Sequence, residues 1–154
     1  MASTKVEYAT LRIGRGTVRL GWAPFRSSKL SADRCAHGVK VHGVVVAQEG
    51  EWSFADECLY LDEAISLVHW LRADRQSPDS IRFLEPCLAF ASAPTSRPGF
   101  ENFSVTFKAE ISPPWIRDDE ERVWHTGWTL RAETPRDDIL RFASVLADLV
   151  GEPR

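Results

Sequence analysis

Cys58 and Cys87 carry the most reactive chemistry in this chain, because a thiol becomes a nucleophile once a base takes its proton, and His42, His69 and His125 are candidate bases. Such a pairing needs closeness in space, which positions along the chain do not supply, and a free cysteine otherwise behaves as a small buried hydrophobe. Cys35-Ala36-His37 together with His42 offers three metal-ligating side chains. The C-x-H-x4-H spacing matches no zinc pattern, however, and no fourth ligand stands beside it. Gly14-Arg15-Gly16 begins like a dinucleotide fingerprint, yet the third glycine is missing and no helix pattern follows to set an N-terminus on a phosphate. Glu85, at a strand end before Pro86, and Glu110, at the end of another strand, sit where catalytic carboxylates can sit, but no spacing pairs them as acid and base. No catalytic, metal or cofactor constellation is legible, and the expectation is a protein that is not an enzyme and needs no cofactor.

Two features suit recognition better than chemistry. Asp118-Asp119-Glu120-Glu121 is an acidic run led by Pro114-Trp115, and a cluster of acids steers association with a basic partner. Trp70 falls on the rim of a helical apolar stripe and Trp124 opposes the inward face of a strand; each is either an exposed anchor or core under a second layer. The candidate partner-binding residues are therefore Trp70, Trp115, Asp118, Asp119, Glu120 and Glu121.

The elements that must position these residues fit one domain spanning residues 1–154. A chain of 154 residues, 44% hydrophobic and 27% charged, can bury one core and lies far from the composition of disorder. A net charge of −3 has the wrong sign for gripping a phosphate backbone, which argues against nucleic acid as a direct partner. The N-terminus lacks the apolar stretch of a secretory signal, and nowhere do 18 apolar residues run together. Three cysteines, odd in number, widely spaced and without C-x-x-C, fit reduced thiols rather than a disulfide framework. The expected location is the cytoplasm.

Alternation at period two marks strands over residues 7–13 and 17–22, joined by the Gly14-Arg15-Gly16 turn. A loop over residues 23–38 leads to a third strand over 39–46, in which Gly43 suggests a bulge, and then to a short fourth strand at Trp52-Ser53-Phe54. Ala64, Leu67, Val68 and Leu71 recur at helical spacing within residues 61–75. Strands follow over 81–84 and 88–90, and a longer one over 103–111. A last strand carries Thr126, Trp128, Leu130 and Ala132 on its inward face. Thr134 as N-cap, Pro135 at the first helical position and Asp137 then announce a second helix ending at Gly151. The pattern predicts an α+β fold: a mostly antiparallel sheet of seven or eight strands with two amphipathic helices packed on it, and no internal repeat.

The order of several segments resembles the WapI family of immunity proteins, which protect bacteria from the C-terminal domains of polymorphic, contact-dependent toxins. The resemblance covers residues 52–153. It rests on Trp52-Ser53-Phe54, Cys58-Leu59-Tyr60-Leu61-Asp62-Glu63-Ala64, Trp70-Leu71, Phe83-Leu84-Glu85-Pro86-x-Leu88-x-Phe90, and Phe107-x-Ala109-Glu110-x-Ser112-Pro113-Pro114-Trp115. The chain departs from the family pattern at Cys87, where that pattern favours Asn, and in lacking an early Asn-Trp pair. What the resemblance implies is a non-enzymatic inhibitor that binds one co-encoded toxin domain, of the nuclease type in the family's founding case. It carries over no catalytic residue, and the shared motif positions Glu85, Pro86, Glu110, Pro113, Pro114 and Trp115 read as scaffold. Two alternatives stand beside it: a small enzyme using Cys58 or Cys87 with a histidine, and a structural or regulatory subunit of another assembly.

Overall fold

The computed structural model describes residues 5–24 and 38–151. β1 (Glu7–Ile13) and β2 (Gly16–Trp22) form where apolar and polar residues alternate, so that Ala9, Leu11, Ile13, Val18 and Leu20 enter the core while Thr10, Arg12 and Arg19 face solvent. β3 (Gly38–Ala47) and β4 (Gly50–Tyr60) follow, joined by a tight turn at Gln48-Glu49. These four strands pair antiparallel in chain order. β4 runs directly into α1 (Leu61–Arg72), whose buried residues Leu61, Ala64, Leu67, Val68 and Leu71 form one stripe.

The same order then recurs. β5 (Asp79–Arg82), β6 (Leu88–Pro94), β7 (Phe100–Phe107) and β8 (Trp128–Pro135) build a second antiparallel sheet, again in chain order, and α2 (Arg136–Val150) follows. α2 packs on both α1 and β1, and β1 adjoins β8, so the two halves share one core. The α+β class and the strand count agree with the sequence pattern. The strands nonetheless divide into two sheets, and the ββββα order occurs twice although no residue repeat announces it.

Several local expectations are corrected. The bulge lies at Cys58 and not at Gly43: Val39 pairs with Leu59 and Lys40 with Glu57, which leaves Cys58 as the extra residue. Gly43 pairs in register with Phe54, and a Cβ on it would stand 2.2 Å from the Phe54 ring, so the glycine is there to seat that ring. β4 reaches well past Phe54 because Ala55 and Asp56 continue the ladder with His42 and Val41. α1 ends at Arg72, short of residue 75, because Arg136 donates to the carbonyls of Leu71, Arg72 and Ala73 and closes the helix there. Thr134 is not the cap of α2. It pairs across the sheet with Glu101 and its hydroxyl donates to the Ala132 carbonyl, so Pro135 becomes the N-cap and the helix opens at Arg136.

Candidate functional site

The connection between β7 and β8, residues 108–127, separates this chain most clearly from a plain meander. Ala109 leaves the sheet with φ 54 and opens a 3-10 turn (Ala109–Ile111), which ends the strand that the alternating pattern carried on to residue 111. A second 3-10 turn (Pro114–Ile116) follows Pro113. The segment then closes in a single π-type turn (Arg122–Thr126), sealed by the Gly127 N–H donating to the Arg122 carbonyl at 2.5 Å. Thr126 and Trp124 therefore belong to this turn and not to the last strand. Gly127 has φ 69, and a Cβ there would stand 2.6 Å from the Phe107 carbonyl oxygen, so only glycine lets the chain return to β8 beside the strand it left.

Aromatic rings hold the excursion from beneath. The Trp52 ring meets Phe107 at 5.2 Å, Trp115 at 5.1 Å and Trp128 at 5.3 Å, each edge to face, the arrangement that aromatic quadrupoles favour. Trp52 Nε1 donates to the Ile111 carbonyl at 3.1 Å, and Trp128 Nε1 donates to Glu49 Oε2 at 2.8 Å. Trp115 is thus half-buried in a ring cluster, with its edge 3.2 Å from where a Cβ on Gly50 would lie.

Above this base, Asp118, Asp119, Glu120 and Glu121 are all exposed. Asp119 also orders the loop: its carboxylate accepts from the Arg122 N–H at 3.2 Å, while its carbonyl accepts from the Val123 N–H at 3.0 Å. Glu121 faces His125 one turn on, at 3.9 Å. Trp124 stands 57% exposed. Beside it a groove of about 340 Å³ is lined by Glu110, Ser112, Arg117, Glu120 and Val123. Glu110 and Glu120 outnumber Arg117 in this groove, which leaves it acidic beside an indole wall.

Trp70 occupies different ground. Its ring lies 6.5 Å from Phe90 and 6.3 Å from Phe103, Arg75 stacks over it at 4.2 Å, and its Nε1 donates to Asp79 Oδ2 at 3.0 Å. It is half-buried structure at the junction of α1 with the second sheet. Glu101, not singled out from the pattern, organises the same junction. Its Oε1 accepts from Ser92 Oγ at 2.6 Å and Arg75 Nε at 2.9 Å, and its Oε2 accepts from Arg136 Nη1 at 2.8 Å. Burial pushes this carboxyl up, but the hydrogen bonds from Ser92, Arg136 and Arg75 outweigh it and hold the group below its ordinary range. The signal was present: Glu101 extends the inward alternation of Phe103, Val105 and Phe107 by one step, a charge on an apolar face.

Cys58 and Cys87 are both buried, and the neighbouring Cys87 together with burial pushes the Cys58 thiol up. His69 and His125 are exposed and His42 is half-buried on β3. Glu85 and Glu110 are exposed and stay unpaired with one another. Cys35 and His37 lie outside the described residues; among the described ones no three His, Cys, Asp or Glu side chains group to hold a metal ion, and no helix is long and apolar enough to cross a membrane.

No curated protein matches the chain. Among solved structures, that of the plant transcriptional regulator PBF-2 is similar with a TM-score of 0.47 and 11% identity, over 97% of this chain and 85% of that one. The profile described as the immunity protein WapI-like family matches residues 24–152, which takes in every element from β3 to α2 together with the whole β7–β8 excursion. The chain belongs to the WapI-like immunity protein family.

Proposed function

We propose that this protein neutralises a co-encoded polymorphic toxin in the cytoplasm by binding the toxin's C-terminal domain directly, with the β7–β8 excursion as the contact face. The observation that carries the proposal is Trp124, 57% exposed beside a carboxylate-lined groove and four consecutive exposed acids, in a chain of an immunity family. Exposed indoles are frequent anchors of protein interfaces, and the acids around this one set the sign of the partner. A nuclease domain is the class that fits, since it must carry cationic groups to hold a phosphate backbone, and those groups are what an acidic face attracts. Contact falls to Asp118, Asp119, Glu120, Glu121 and Trp124, while Trp115 supports the excursion from below and Trp70 stays within the helix–sheet junction.

Co-expression with the C-terminal domain of the toxin encoded beside it tests the function: cells survive with this chain and die without it. Death in both cases overturns the proposal. Survival that persists after the excursion has lost its acids and Trp124 moves the contact face elsewhere while leaving immunity standing.

A further inference from the structure

The outer face of the second sheet carries polar groups that the fold does not use. Along β7 the residues alternate, Phe103 and Val105 entering the core while Asn102, Ser104 and Thr106 take the opposite face. The strand register places Ser80, Ala91, Ser104 and Arg131 in one row across β5, β6, β7 and β8. Asn102 lies one step along, opposite Ala93. A cavity of about 420 Å³ lies over this row, lined by Ser80, Ala91, Ala93, Asn102, Ser104 and Arg131. Ser104 is 4% exposed, yet its hydroxyl makes no hydrogen bond among the described residues. In the neighbouring row, by contrast, Thr106 and Thr129 bond each other at 2.7 Å. A hydroxyl so enclosed and unpaired costs free energy unless a group seated in the cavity meets it.

We propose that this row is a binding site for the oxyanion group, phosphate or carboxylate, of a small anionic ligand. The groups left open can all donate, and one carries a positive charge: the Arg131 guanidinium, the Asn102 amide and the Ser80 hydroxyl also have no partner among the described residues. Asp79 lines the cavity too, but both its oxygens are taken, Oδ1 by the Ser80 N–H at 2.8 Å and Oδ2 by Trp70 Nε1 at 3.0 Å. Glu133 pairs with Asn102 across the ladder and lies outside the lining. Arg131 offers the planar fork that phosphate and carboxylate accept, with Ser104 beside it on the next strand. Alanine at positions 91 and 93 leaves the sheet bare between β5 and β7, which gives the rest of the ligand room to lie against it.

The test is an NMR titration of the full isotope-labelled chain with inorganic phosphate and, separately, with citrate, each compared with sodium chloride at equal ionic strength and pH. At least one oxyanion is expected to shift the amides of Ser80, Asn102, Ser104 and Arg131 saturably, with chloride moving none of them; the tighter of the two names the preferred group. Arg131→Gln, which keeps side-chain bulk at an exposed position, is expected to weaken this binding about tenfold, and Ser104→Ala about threefold. Shifts that fail to saturate with either anion, that chloride reproduces, that centre on other residues, or that keep full strength in Arg131→Gln overturn the proposal. Should Ser104→Ala fail to fold, the wild-type titration and the Arg131 variant decide. Toxin neutralisation plays no part in this measurement, so the site and the immunity function stand or fall separately.

Discussion

The same connection is built in opposite ways in the two halves. In the first sheet, strands three and four are joined by Gln48-Glu49 alone; in the second, the equivalent strands β7 and β8 are separated by residues 108–127. The short version is pure scaffold, and it reaches across to the base of the long one: Glu49 accepts from Trp128, Gly50 lies under Trp115, and Trp52 donates to Ile111. One half therefore pins down the segment that the other half exposes. A fold with two similar halves can keep one connection minimal and let its counterpart carry recognition, because stability and contact then rest on different residues.

That division of labour is open to attack from its most costly side first. Trp52→Ala removes the ring at the centre of the cluster and is expected to lower unfolding free energy by about 4 kcal/mol in a urea titration, with toxin binding lost alongside. Retained binding in a protein so weakened would show that the excursion holds itself.

Glu101→Gln leaves the Arg75 and Arg136 guanidiniums, at 4% and 18% side-chain exposure, without the carboxylate they share, Arg136 keeping only the exposed Asp74 at 3.9 Å, and is expected to cost about 3 kcal/mol with toxin affinity unchanged in folded protein. Its pH dependence has a definite sign. A carboxyl whose folded pKa is lowered contributes stability that is present above the unfolded value, about 4.3, and is lost as pH falls through the folded one. The wild-type chain should thus weaken in acid more steeply than the Gln variant; parallel acid limbs would assign Glu101 no such part.

Trp124→Ala should invert the pattern, costing about 2 kcal/mol of toxin affinity by calorimetry. Its stability should move by under about 0.5 kcal/mol. Smallest is the charge change Asp118→Ser, Asp119→Asn, Glu120→Ser and Glu121→Ser, in which Asn keeps the acceptor that Asp119 offers Arg122. Stopped-flow association at low salt is expected to slow about tenfold and to lose much of its salt dependence, with thermal unfolding unmoved. An unchanged salt slope would take these acids out of the interface.

Periodicity reads single elements well and their partnerships poorly, and the errors follow that line. The strands around Leu11, Val18 and Val105 and the stripes of both helices were legible because each buries one face. Cys58 and Cys87 read as candidate nucleophiles, whereas the β3–β4 register and the close of the β5–β6 turn bury both. Trp70, Trp115 and Trp124 were indistinguishable as residue types. Ring neighbours half-bury the first two, and a π-type turn, closed by its own backbone bond from Gly127 to Arg122, leaves the third in water. The helix stop at Arg72 was hidden for a related reason, because its cap, Arg136, comes from far along the chain.

The closed base of the β7–β8 excursion also has a consequence for engineering. With Ala109 and Gly127 both in left-handed conformations at its exits and Trp52 beneath, the span between them is a cassette whose ends meet a fixed frame. On the contact face proposed above, chimeras that graft this span from one WapI-like chain into another, keeping Phe107, Ala109, Gly127 and Trp128 in place, are expected to change which toxin is recognised without redesign of the sheets.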